Sequence, residues 1–201
     1  MLTKDLENEL KLWRHEFHAN PELNFDVNET AAKVTELLKS FGLEVHTGIG
    51  GTGIVGILKK GSGSKSIGIR ADMDALPITE LNDFSYKSKN QGKMHACGND
   101  GHSTMLLGAA VHLKQDNNFS GTVHVIFRPA EEGGGGGRVM VEEGIFEKFT
   151  CEAVYGMHNW PGMAEGQFAV HDTAVMAANE TLKISIKGKG GHAAMPDQCV
   201  D

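Results

Sequence analysis

Residues 122–137 read Thr-Val-His-Val-Ile-Phe-Arg-Pro-Ala-Glu-Glu-Gly-Gly-Gly-Gly-Gly. The run Thr122–Phe127 is apolar on both faces, the mark of a strand covered on both sides in the middle of a sheet. It ends at Arg128-Pro129-Ala130, and the adjacent carboxylates Glu131 and Glu132 follow. The same grammar recurs along the chain. Ser66–Ala71 and Ala153–Met157 are further strands apolar on both faces, and Leu43–Thr47 and Gly53–Leu58 are shorter β-type runs. Leu2, Leu6, Leu10, Trp13 and Phe17 recur at helical spacing and predict an amphipathic helix stopped by Pro21. Ala31, Val34, Leu37, Leu38 and Phe41 predict a second, with Asn28 as its N-cap and Gly42 past its end. Ser103–Leu113 is apolar nearly all round and predicts a buried helix. Strands alternating with helices define a layered α/β fold with a largely parallel central sheet and flanking helices.

Composition narrows the function. The 201 residues carry a formal net charge of −7 with no lysine- or arginine-rich run, which argues against nucleic acid as a partner. No apolar run approaches membrane-spanning length, so no membrane is expected either. Cys97, Cys151 and Cys199 form no CxxC pair, and their odd number argues against a disulfide framework. A reducing, cytoplasmic setting is the simplest expectation.

Three clusters carry chemistry. Glu131–Glu132 is one; Met94-His95-Ala96-Cys97-Gly98-Asn99-Asp100-Gly101-His102 and Gly156-Met157-His158-Asn159-Trp160-Pro161 are the others. A thiolate, a carboxylate and an imidazole delivered from separate segments suit a borderline-soft divalent ion such as zinc. Adjacent glutamates let one bind metal while its neighbour handles a proton. Asp72 and Asp74 follow an apolar strand, at the carboxyl end where open α/β sheets place their sites. They either cap a turn or, as expected above all of Asp74, orient a metal ligand. The remaining motifs are structural. Gly48-Ile49-Gly50-Gly51-Thr52-Gly53 fits a dinucleotide fingerprint, but a strand follows it where a helix is required, so a glycine-rich hairpin turn is expected. Gly133–Gly137 lacks the lysine of a phosphate loop; it lets the backbone turn sharply or pass close to a bound group. His15-Glu16-Phe17-His18 is one residue short of HExxH, and its histidines are expected to pack at the helix end near Pro21.

Residues 13–23, Arg70–Pro77, His95–His102, Pro129–Gly137, Gly156–Pro161 and Gly190–Pro196 resemble, in order, the metal-dependent aminoacylase-like amidohydrolases. The nearest branch is that of hippurate hydrolase and the auxin-conjugate amidohydrolases, relatives of zinc carboxypeptidases. The resemblance implies a di-metal, aminopeptidase-like catalytic domain interrupted by a smaller lid domain that commonly mediates dimerisation. It implies two divalent ions (Zn, Mn, Co or Ni) bridged by Cys97, with Glu132 and His158 as terminal ligands and Glu131 as general base. His192 would help to hold the carbonyl of a small N-acyl amino acid substrate, and the full-length form would be a homodimer. At residue 99 the family has a ligand histidine and this chain has Asn99, a much weaker donor. A non-catalytic, metal-binding remnant of the fold is therefore the alternative function. Composition changes after about Ala178. Residues 1–178 are read as the first part of the catalytic domain and 179–201 as the start of the lid, with Thr181–Lys187 a half-exposed strand. The last ligand histidine would lie beyond residue 201, so a truncated chain, inactive alone, is expected.

Overall fold

The computed structural model describes residues 3–116, 118–178, 180 and 182–200. The chain forms two compact units, Met1–Trp160 and Pro161–Asp201, dividing earlier than the change of composition after Ala178.

The first unit opens with α1, Lys4–Ala19. The Thr3 hydroxyl accepts the Leu6 N–H at 3.3 Å and caps it, while Phe17 and Ala19 are buried. Leu2, expected on the same apolar face, lies outside the described residues. Helix α2 spans Asn28–Ser40. Asn28 is its first residue rather than its cap. The Glu22 carboxylate does the capping from a distance, accepting the N–H groups of Glu29 (3.1 Å) and Thr30 (2.8 Å).

Five strands form one sheet: β1 (Glu44–Ile49), β2 (Gly53–Lys60), β3 (Ser66–Asp72), β4 (Gly121–Arg128) and β5 (Ala153–Gly156). Their order is β1-β2-β4-β3-β5. The glycine-rich segment 48–53 is the hairpin turn between β1 and β2, with Gly48, Gly50 and Gly51 all at positive φ. The sheet is mixed. β3 is parallel to both β4 and β5, but β2 pairs antiparallel with both β1 and β4. The largely parallel expectation thus holds for β4-β3-β5 only, because the hairpin forces β1 and β2 to run in opposite directions.

Helix α3 (Asn99–Gln115) supplies the crossover between β3 and β4. It begins at Asn99, well before the expected Ser103, because its first turn is polar and buried: Asn99, Asp100, His102 and Ser103 are all inside. On one side of the sheet Val125, Phe127, Ile54 and Leu58 pack with Phe17, Val34, Leu38, Leu106 and Leu107 from the three helices. On the other, Ile126 and Val55 pack with Met140, Ile145 and Phe149 around α4 (Gly136–Glu142) and α5 (Ile145–Lys148). Alternate residues of β4 thus meet apolar partners on both sides, which explains its unbroken apolar run. β5 departs from expectation. It lies at the edge of the sheet, paired with β3 alone among the described residues, and Val154 and Tyr155 are exposed.

In the second unit the expected strand Thr181–Lys187 does not form over the described residues 182–187; Thr181 lies outside them. A strand needs a hydrogen-bonded neighbour, and the pairing recorded in this region is the isolated bridge Lys189↔Val200. Ile184 and Ile186 are exposed.

The five glycines turn sharply. The Gly136 N–H donates to the Ala130 carbonyl at 3.0 Å, and a Cβ on Gly136 would collide with the Pro129 carbonyl oxygen. Gly136→Ala should therefore destabilise the protein by about 2–3 kcal/mol, read as a lower urea midpoint at unchanged slope.

Candidate functional site

Because β3, β4 and β5 are parallel, their carboxyl ends open on the same edge of the sheet. Asp72 closes β3, and Asp74 lies just past it, wholly buried. Its Oδ1 accepts the Glu131 N–H at 2.8 Å and its Oδ2 accepts the Glu132 N–H at 3.0 Å. Both sequence readings of Asp74 converge here: it caps a turn, and that turn carries the paired glutamates. Asp72 instead faces Arg70 and Arg128, accepting from Arg128 Nε at 2.6 Å. Arg128 also approaches the half-exposed Glu131, with Nη2 3.7 Å from Oε1. Ala130, between the strand and the glutamates, is buried at φ +53°, a left-handed backbone uncommon outside glycine. Its N–H is held by the Asn24 carbonyl at 3.0 Å.

Cys97 precedes α3 and His158 follows β5, and they meet: Cys97 Sγ lies 3.3 Å from His158 Nε2. His158 Nδ1 lies 2.7 Å from the Asn159 carbonyl, which can only accept, so Nδ1 carries the proton and the Nε2 lone pair faces the sulfur. Glu132 lies near enough to act on the Cys97 thiol electrostatically. Gly98, at φ +122°, lets the chain turn from Cys97 into α3. Burial, then the negative charges of Glu132 and Glu131, push the Cys97 thiol up to about 12. Burial also raises Glu132, and raises Asp74 against its hydrogen bonds from Glu131 and Glu132.

Asn99 is 1% exposed. Its side-chain nitrogen donates to the Asp74 carbonyl (2.8 Å) and to Glu132 Oε1 (3.3 Å), and its oxygen lies 3.1 Å from His102 Nδ1. His102 Nε2 is 2.7 Å from the Asn159 side-chain oxygen and 3.1 Å from its backbone nitrogen. Burial lowers the His102 pKa. Cys97 thus neighbours both His158 and Glu132, and the donor types of the three suit a divalent ion. They do not close on a single point: among the described residues, no three His, Cys, Asp or Glu side chains are grouped to hold a metal. His192 lies in the second unit, where its Nδ1 accepts the Ala194 N–H at 3.2 Å.

Sequence reasoning missed a second polar cluster under the first turn of α3. His15 does stack at the end of α1, on Tyr86 with ring centroids 3.7 Å apart. His18, however, is buried, with Nδ1 2.8 Å from Asp100 Oδ2 and Nε2 3.1 Å from Glu80 Oε1. Arg14 adds a contact to Asp100 at 3.4 Å. Burial would raise Glu80, but hydrogen bonds from Asn82, Ser88 and His18 outweigh it and bring the carboxyl to about 2. The available signal was position: His18 follows Phe17 on the inward side of an amphipathic helix, where an imidazole needs partners. His95 is buried nearby with neither ring nitrogen hydrogen-bonded.

Residues 68–199 match the model of peptidase family M20/M25/M40. The chain belongs to this family. It is 48% identical over 197 residues to the hippurate hydrolase of Campylobacter jejuni, covering 98% of the chain and 51% of the relative. It is 40% identical over 202 residues to the N-acyl-L-amino acid amidohydrolase of Geobacillus stearothermophilus, covering 100% of the chain and 54% of that protein. Among solved structures it resembles the Bacillus subtilis YXEP protein, a dinuclear metal binding peptidase of the M20 family. That likeness has TM-score 0.76 and 37% identity, over 80% of this chain and 45% of the other. The chain spans about half the length of these relatives. The family and the mixed α/β fold accord with the resemblance read from the motifs, and divalent metal ions belong with them.

His95 gives the cluster an acid sensitivity. Burial lowers its pKa from 6.5 to about 4. Between those values the unfolded chain binds a proton that the folded chain refuses, so stability falls as pH falls through that window. Urea midpoints at pH 7 and pH 4.5 should show this loss, and His95→Leu should reduce it.

Proposed function

We propose that the protein is a metal-dependent amidohydrolase that cleaves the amide bond of N-acyl amino acids or similar small amides. The observation that carries this reading is the grip of Asp74 on the consecutive N–H groups of Glu131 and Glu132, beside the facing pair Cys97 and His158. In this reading Cys97, Glu132 and His158 hold metal (zinc, manganese, cobalt or nickel), and Asp74 orients the glutamate that binds it. A divalent ion there would polarise the amide carbonyl and lower the pKa of water. Glu131, half-exposed and kept clear of the ligand role by its neighbour, takes the water's proton and delivers it to the departing amine. The amide C–N bond breaks, and a carboxylic acid and an amine leave.

The named activities of the hippurate hydrolase and the N-acyl-L-amino acid amidohydrolase support the substrate class. Residues 1–178 would then be the first part of the catalytic domain, and 179–201, with His192 on the substrate carbonyl, the start of a lid. A cytoplasmic homodimer is the matching assembly. Among the described residues, no helix is long and apolar enough to cross a membrane. A non-catalytic remnant of the fold draws support from Asn99; the intact Glu131 opposes it, since a site without chemistry has no use for a base.

The roles of the two glutamates separate experimentally. In the complete protein Glu131→Gln should lower kcat by about 10²-fold or more with metal content unchanged. Glu132→Gln should lower metal occupancy instead. Loss of metal in Glu131→Gln with activity retained would reverse the assignment.

A further inference from the structure

We propose that Asn99 is a plug rather than a ligand, its amide NH₂ standing beside Glu132 where a cation would stand and leaving the protein one divalent ion, on Cys97 and His158 with the remaining oxygen of Glu132. This rests on the metal-dependent reading above and sharpens its count of ions from the two expected to one.

The orientation of the amide decides the matter. Asn99 lies 2.8 Å from the Asp74 backbone oxygen, an atom that can only accept a hydrogen bond. The second nearby acceptor is Glu132 Oε1, at 3.3 Å. Both therefore demand the NH₂ end of the side chain. Turning the amide over would set its oxygen against two oxygens in a site with 1% exposure, where no solvent offsets the repulsion. The oxygen lies on the other side, 3.1 Å from His102 Nδ1. An amide nitrogen has no lone pair to give a metal, and the oxygen, the one usable donor atom of Asn99, faces His102 rather than Glu132.

Across the site the arrangement differs. His158 donates through Nδ1 to the Asn159 carbonyl and turns its Nε2 lone pair to Cys97 Sγ, 3.3 Å away. That pair and nearby Glu132 have the donor types of a catalytic rather than a structural zinc site, and the three side chains would have to draw together to hold an ion. His102, buried and tied to Asn99 and Asn159, serves to hold the plug.

The test uses cobalt(II) as the only probe on the complete, metal-stripped protein, with bound metal counted by elemental analysis after dialysis. The unaltered protein should retain one equivalent with a thiolate-to-cobalt charge-transfer band, and Cys97→Ser should abolish that band. Asn99→His removes the NH₂ and supplies an imidazole, and it should retain two equivalents at the same free cobalt concentration. Two equivalents retained by the unaltered protein would overturn the plug, and so would one equivalent in Asn99→His. No retained cobalt and no charge-transfer band in the unaltered protein would refute the metal-dependent reading itself.

Discussion

A single buried carboxylate ties together the edge where the parallel strands end. Asp74, at the end of the segment leaving β3, accepts two consecutive backbone N–H groups from the turn that leaves β4. Strand pairing aligns β3 and β4 only as far as Asp72 and Arg128. Beyond that point the ladder stops and nothing in the sheet dictates the path of either chain. Asp74 extends the alignment by side-chain hydrogen bonds and aims Glu131 and Glu132 from a fixed base. The left-handed backbone at Ala130 and the close turn at Gly136 are the conformational cost of that path, offset by the Asn24 carbonyl and the buried surroundings.

The same region concentrates negative charge. Asp72, Asp74, Glu131, Glu132 and Cys97 crowd one edge, and the protein answers each differently. Arginines at 70 and 128 neutralise Asp72, while backbone N–H groups solvate Asp74. Glu132 receives the neutral amide of Asn99. Cys97 faces His158, and its thiol is driven to about 12 by burial and by its acidic neighbours. Beneath it, His18 bridges Asp100 and Glu80 and fixes the first turn of α3 against α1, so that Cys97 enters the site from a rigid base.

Much of this was legible in the chain, and the part that was not has a common cause. The five strands were marked by apolar runs, the three long helices by helical or continuous apolar patterns, and the family by its ordered motifs. Beyond the mixed sheet, the cap of α2 and the strand expected over 182–187, three more expectations fail. β5 was expected in the interior, but an apolar run of four or five residues does not reveal whether a strand has one neighbour or two. Helix α3 was started too late because its first turn is polar, and polarity there reflects a hydrogen-bonded interior rather than solvent. His18 was set aside because its partners, Asp100 and Glu80, lie in segments remote in sequence.

Local pattern thus determined the five strands, the three long helices and their order along the chain, because apolar runs and side-chain period are properties of neighbouring residues. Tertiary structure alone decided that the sheet is mixed, that Asp74 grips Glu131 and Glu132 while Asp72 binds arginine, and that Asn99 offers Glu132 a nitrogen rather than an oxygen. Each depends on which acceptor or donor a fold places within about 3 Å of another, and a hydrogen bond between residues 74 and 131 leaves no periodic trace in the sequence.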